Sequence, residues 1–425
     1  MHSQLHFFTW LVLLLTGVTQ ADDWPQWGGP QRDIVWRETG IVATFPTNGL
    51  LPRVWSAEVG EGYSGPAVAD GLVYLTDRIQ DEGNERVLCF DAETGKEVWK
   101  QEYASRYTVS YPAGPRATPV IDEGRVFTIG AVGQMFCFDA KTGAEIWKID
   151  FQADFGTKLP IWGMAASPLV DGQQLITLVG GANGALVVAF DKATGKELWR
   201  ALDDEVIGYS PPVIYEFGGR RQLIIWHPSA VTSLDPETGK VLWETPWEIR
   251  YGLTAPMPRK IDDHLFMTAF YDGPLMLKVG SDHADIVWKG KGKDEQQTDG
   301  LHSIIPTPWV DADNIFGVCS YGQLRALNTA TGERLWETLD ATGSGRWWNA
   351  FIIPHEDRYF LHNEQGDLII ADLSAEGYKE ISRAKLVEPT RAVQRRMTIW
   401  SHPAFAMKSV FARNDKELVR VSLAK

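Results

Sequence analysis

A single phrase recurs along the chain and constrains its fold more than any other feature. Asp91-Ala-Glu-Thr-Gly95-Lys-Glu-Val-Trp99 returns as Asp139-Ala-Lys-Thr-Gly143-Ala-Glu-Ile-Trp147, as Asp191-Lys-Ala-Thr-Gly195-Lys-Glu-Leu-Trp199 and as Asp235-Pro-Glu-Thr-Gly239-Lys-Val-Leu-Trp243. A fifth copy, Asn328-Thr-Ala-Thr-Gly332-Glu-Arg-Leu-Trp336, opens on Asn. With Trp55 and Trp288 added, the closing tryptophans lie roughly 44–52 residues apart. Such a period is too short for a domain and long enough for a four-stranded blade, so it predicts a β-propeller.

The unit reads as strands throughout. Pro66-Ala-Val-Ala-Asp70-Gly71-Leu-Val-Tyr-Leu-Thr gives two strands joined at Asp70-Gly71, a strong hairpin signal. Arg86–Phe90 is a third strand and Lys96–Trp99 a fourth. In the turn between them, Asp and Thr can bond backbone N–H groups, and Gly tolerates positive φ. The Trp then buries its face against the next blade's turn, because a blade cannot cover both of its own faces. Eight blade starts follow one signature: Gly65-Pro66, Thr118-Pro119, Ser167-Pro168, Ser210-Pro211, Ala255-Pro256, Thr307-Pro308, Asn349-Ala350 (lacking the Pro) and His402-Pro403. The last unit, Ser401 to Lys425, holds chain for three strands and no closing Trp, whereas Trp55 precedes every start. The strand around Trp55 is therefore expected to complete blade 8 and close the ring, removing its sheet edges. The expectation is an all-β, eight-bladed propeller over residues 49–425, preceded by an arm over 22–48 whose Trp24, Trp27 and Trp36 pack across it. Gly60-Glu-Gly62 and Gly180-Gly181-Ala-Asn-Gly184 read as hairpin turns.

Composition narrows the function classes. A net charge of −14 disfavours nucleic acid, and Arg391 with Arg395-Arg396 reads as a solvated loop. Residues 1–21 lack Asp, Glu, Lys and Arg, carry an apolar run from Phe7 to Val18, and end on Thr19-Gln20-Ala21. They read as a signal peptide, which makes the chain periplasmic or secreted. No Cys sits at the junction, so a lipoprotein anchor is not expected, and no later run reaches membrane-spanning length. The expected state is a monomer with no transmembrane segment. Cys89 and Cys137 share a slot that Ala189, Ser233 and Ala326 fill elsewhere, so they read as small buried side chains.

The repeat resembles the pyrroloquinoline-quinone (PQQ) repeat, Ala-x-Asp-x-x-Thr-Gly-x-x-x-Trp, over roughly residues 50–425. Two groups share it: PQQ-dependent alcohol dehydrogenases, and the non-catalytic BamB-type propeller of outer-membrane assembly. Trp24-Pro-Gln-Trp27-Gly-Gly-Pro-Gln-Arg-Asp33, with Gly60–Pro66 and Gly114–Pro119, is similar to a secreted propeller group of planctomycete-type bacteria. The resemblance implies the fold firmly and leaves the activity open. The dehydrogenases hold calcium or a lanthanide by carboxylate and amide, use an Asp base, and carry adjacent cysteines over the quinone. This chain has no adjacent Cys pair, and no matching Asp/Glu/Asn set is apparent.

Candidate ligand-binding residues are those just before each blade start, where the chain faces the axis at one end of the ring. They are Tyr63, Arg116, Trp162, Tyr209, Tyr251, His302, Arg346 with Trp347 and Trp348, and Trp400 with His402. Aromatic area with Arg suits a planar anion, a sugar or a peptide segment. Close packing that merely plugs the axis is the competing reading. His227, His302 and His402 lack the short spacing of a metal site. The sequence favours a non-catalytic binding or scaffold module for an envelope protein or small ligand, with no cofactor. The alternative is a PQQ-with-calcium or other oxidoreductase.

Overall fold

The computed structural model describes residues 23–79, 82–106, 109–204, 206–393 and 395–425, so the signal segment read at 1–21 lies outside the described residues. Eight four-stranded antiparallel sheets form the ring. Blade 1 comprises Ala67–Ala69, Leu72–Ile79, Asn84–Asp91 and Glu97–Ala104. Blades 2 to 7 begin at Val120, Leu169, Val213, Arg259, Trp309 and Ala350. Each start lies within three residues of its signature. The first strands of neighbouring blades touch one another and so surround the axis.

Blade 8 closes as expected. Ala404–Ala406, Ser409–Arg413 and Glu417–Ser422 supply three strands, and Arg53–Glu58 supplies the outer one. Ser56 lies opposite Val419, and Glu58 opposite Glu417. Both ends of the chain are thus held in one sheet.

The repeated phrase works as a docking joint. Asp91 Oδ1 accepts hydrogen bonds from the Thr94 N–H (2.8 Å) and hydroxyl (2.7 Å). Asn328 does the same for Thr331 at 3.0 and 3.2 Å, which explains why Asn serves there. Gly95 then adopts φ +71° with the Trp55 indole against it. Trp99 covers Gly143, Trp147 covers Gly195, Trp199 covers Gly239 and Trp288 covers Gly332 in the same way. Each indole N–H reaches the same joint: Trp55 donates to the Ala92 carbonyl (2.8 Å), Trp99 to Ala140 (2.9 Å) and Trp147 to Lys192 (3.1 Å). Trp199 and Trp243 instead donate to the amide oxygens of Gln174 (2.8 Å) and Gln222 (2.6 Å). A Cβ at Gly143 would stand 2.6 Å from the Trp99 ring at a φ of +70°. Gly143→Ala is therefore expected to cost at least about 2 kcal/mol, from left-handed strain plus displacement of the indole. Chemical denaturation measures it; an unchanged midpoint would refute the joint.

Register explains the small slot. Cys89, Cys137, Ala189, Ser233 and Ala326 sit directly opposite Trp99, Trp147, Trp199, Trp243 and Trp336. All three cysteines are free and buried. Burial pushes the Cys89 and Cys137 thiols up to about 12, so neither offers a thiolate at neutral pH.

The arm lies against the ring. Trp24 exchanges backbone hydrogen bonds with Val68 (2.8 and 2.9 Å), and the Ile121 N–H donates to Pro25 (2.9 Å). Trp36, 1% exposed, packs on His355, Phe360 and Phe405. Farther on, Val42 N–H bonds the Leu423 carbonyl, and Lys425 N–H bonds Gly40. Gly180–Gly184 lies at the hairpin of blade 3. Gly60-Glu61-Gly62 is not a hairpin: it leads from the closing strand into blade 1, and Glu61 pairs with Arg78. No described helix is long and apolar enough to cross a membrane.

Candidate functional site, an aromatic funnel on the ring axis

The segments entering the eight blades converge on a cavity of about 200 Å3. Every segment contributes: Tyr63, then Tyr111 and Arg116, Trp162, Tyr209, Leu253 and Ala255, Ile304 and Ile305, Trp347, and finally Trp400 with His402. Tyr271, Phe351 and Trp27 complete the lining. The position before a blade start is thus the rule that builds the site.

Ring pairs form the wall. Tyr111 stands 5.6 Å from Trp400 and 6.0 Å from Trp347, and Tyr63 stands 6.1 Å from Trp400, centroid to centroid. Trp162 and Tyr209 lie 5.6 Å apart, and the Tyr209 hydroxyl accepts the Trp162 N–H at 3.4 Å. Such edge and tilted contacts fix the ring planes.

The arm forms the floor. Trp27 meets the His402 imidazole edge-on at 4.4 Å. Trp27, Phe351 and His402 also line a smaller cavity of about 30 Å3, so they divide the two spaces. Arg32 clamps the arm by donating to the carbonyls of Pro168 (2.9 Å) and Ser167 (3.0 Å). Burial lowers its guanidinium to about 10, which leaves it charged at neutral pH. His402 bonds the Thr118 hydroxyl (2.6 Å) and the Pro403 carbonyl (3.2 Å), and burial lowers its imidazole to about 4. It is neutral at physiological pH.

The arginines brace the rim. Arg116 lies over Tyr63 at 5.1 Å and donates to the carbonyls of Ser110, Tyr111 and Gly114. Arg346 lies over Trp347 at 5.1 Å, donates to the Tyr271 hydroxyl (3.1 Å) and pairs with Glu295 (3.5 Å). The basic cluster read as a solvated loop is corrected here. Arg391 pairs with Asp415 (2.9 Å) and Glu61 (3.3 Å) while covering Tyr63, and Arg396 pairs with buried Glu364 (2.5 Å). Glu364 also accepts the Trp400 indole N–H at 3.0 Å, and burial raises its carboxyl. The hairpin Arg391–Val393 with Arg396–Thr398 thus holds two wall aromatics.

Of the residues singled out from sequence, Tyr63, Arg116, Trp162, Tyr209, Trp347, Trp400 and His402 line the funnel. Arg346 lies behind Trp347. His302 is buried outside the lining, bonded to the Phe270 carbonyl (2.9 Å) and the Thr298 hydroxyl (3.0 Å). Trp348 is buried beneath Arg396, and Tyr251 is exposed against Tyr271. The sequence reading missed Tyr111, Tyr271 and Trp27. Trp27 had a signal, since an arm with three tryptophans must bury them somewhere. His227 pairs with Asp204 at 2.7 Å, and among the described residues no three His, Cys, Asp or Glu side chains gather as a metal site.

An eight-bladed ring built on Trp-docking Asp-x-x-Thr-Gly turns defines a PQQ-like propeller. The chain belongs to the family described as outer membrane protein assembly factor BamB, whose model matches residues 34–101, 83–338 and 227–424. An outer membrane protein assembly factor BamB of Burkholderia pseudomallei (strain K96243) is 27% identical over 210 residues. That alignment covers 48% of this chain, and the chain spans about half the length of that relative (48%). The structure of BamB from Moraxella catarrhalis superposes with a TM-score of 0.60 at 17% identity, covering 88% of this chain and 100% of that one. A quinohemoprotein alcohol dehydrogenase, ADHIIG of Pseudomonas putida HK5, also gives 0.60, at 13% identity over 95% of this chain and 80% of its own. These two superpositions speak to the fold alone.

Proposed function

We propose that this protein is an extracytoplasmic binding module without catalytic activity, which takes a ligand into the funnel and docks an envelope protein. The carrying observation is the funnel itself: a blind aromatic cavity to which all eight blade entries contribute. Membership in a family described as an outer-membrane assembly factor supports the envelope setting, as does the apolar start of the chain.

The residues present do not suit PQQ with calcium. No Asp or Glu is among the described lining residues, so a divalent cation would lack carboxylate oxygen there. The cysteines are buried in separate blades. Arg116 is engaged with three backbone carbonyls, which leaves a carboxylated quinone little to pair with.

Titration of the purified chain with PQQ, with and without calcium, followed by Trp fluorescence, tests the reading. Quenching independent of calcium or absent, with no alcohol-dependent dye reduction, is expected. Tight calcium-dependent quenching with turnover would replace it by the oxidoreductase reading. Fractionation of expressing cells should find the chain outside the cytoplasm, with its N-terminus at Asp22; an intact cytoplasmic chain would remove the envelope role.

A further inference from the structure

We propose that the funnel's guest is an uncharged, flat aromatic molecule of one or two fused rings bearing hydrogen-bond acceptor oxygens. This rests on the reading of the funnel as a ligand site. Size sets the first bound. An apolar cavity of roughly 150 Å3 takes up benzene, so about 200 Å3 admits a substituted or fused ring. The wall rings of Tyr111, Trp347 and Trp400 present faces and edges at the spacings aromatic packing uses.

Charge sets the second bound. Arg391 and Arg346 already have carboxylate partners, Arg116 is engaged with backbone carbonyls, and no carboxylate lines the cavity among the described residues. An anion entering would shed its water without gaining a counter-charge. A cation fares no better. Aromatic faces attract cations, but guanidinium groups already lie over Tyr63, Tyr271 and Trp347 and would repel another.

Hydrogen bonding sets the third. Two lining residues carry buried polar atoms with no hydrogen-bond partner: the indole N–H of Trp27 at the floor and the Tyr63 hydroxyl in the wall. Both donate, so the guest supplies acceptor oxygens. A sugar ring carries more hydroxyls than these two groups satisfy, and each left dry costs about 1–3 kcal/mol.

Calorimetric titration of the purified chain with four probes tests this: coumarin, naphthalene, 2-naphthoate and methyl β-glucopyranoside. Coumarin, flat and neutral with a carbonyl, should bind one per chain and roughly tenfold tighter than naphthalene. Trp27→Phe and Tyr63→Phe, which keep the rings and remove the donors, should narrow that ratio. Ala165→Trp, which fills the cavity, should abolish binding. Tighter binding of the glucoside or the naphthoate would overturn the ligand class while leaving the funnel as a binding site. Equal affinity for coumarin and naphthalene would overturn the assignment of the donors. No binding by any probe would remove the funnel as a ligand site altogether.

Discussion

Trp147→Ala should destabilise the ring by about 3–5 kcal/mol. The indole is 9% exposed, packs with Phe127 at 6.0 Å, covers Gly195 of the next blade and donates to the Lys192 carbonyl at 3.1 Å. Truncation removes the apolar area, leaves a cavity at the junction of blades 2 and 3, and strands a buried carbonyl. The closed ring leaves little room for collapse, because moving one blade shifts both neighbours. Trp147→Phe should recover the area but not the hydrogen bond, and so cost about 1–2 kcal/mol. Urea denaturation by far-ultraviolet circular dichroism reads both. A loss below about 1 kcal/mol for Trp147→Ala would mean that the repeated tryptophan does not hold the blades together.

That joint is also why the ring was legible in the sequence. Its parts lie on a short stretch: Asp91 bonds Thr94, Gly95 turns the chain, and the preceding Trp covers the Gly. Blade count and closure through Trp55 follow from where the period starts and where it runs short. The funnel was legible only in part, because facing depends on turns that no period marks. Trp347 has φ +68° and Tyr251 φ +59°. The turn at Trp347 sends the next side chain, Trp348, under Gly343 and Gly345 instead of toward the axis. Tyr271 comes from a loop within blade 5 and Trp27 from an arm outside the period. Arg391 and Arg396 misled for a related reason: local charge density suggested solvent, while their carboxylate partners Asp415 and Glu364 are distant or unremarked in sequence.

The arginines also change how the funnel is understood. Aromatics beside Arg suggested recognition of an anion. The geometry assigns each guanidinium to holding a ring plane or a loop carbonyl, so the rim is rigid before any guest arrives. Preorganisation of this kind lowers the ordering cost of binding. It also ties the funnel to blades 7 and 8 through Glu364, which joins Arg396 and Trp400.

Acid should weaken the fold well above the range where most carboxylates titrate. His362 is bonded through Nδ1 to the Asp367 carbonyl (3.1 Å), and His402 to the Pro403 carbonyl (3.2 Å). Burial lowers both imidazoles to about 4, and the two disfavour each other's charge. In the unfolded chain each titrates near ~6.5. Above that pH both are neutral in either state and their full contribution is present. As pH falls from ~6.5 to ~4, the unfolded chain gains protons that the native chain refuses, so stability is lost. The loss is roughly 3 kcal/mol for each imidazole by pH ~4, with little more below it. His302 and His355 are lowered by burial as well and act in the same direction. The turn carboxylates Asp91, Asp139 and Asp191 are held low by their Thr partners, so their contribution fades only at more acid pH. Denaturation midpoints at pH 7, 5.5 and 4.5 should therefore fall steeply before those carboxylates protonate. His362→Gln with His402→Gln should flatten the slope over that window even if it lowers the midpoint at pH 7. A slope unchanged by the double substitution would mean that these imidazoles accept protons in the native ring.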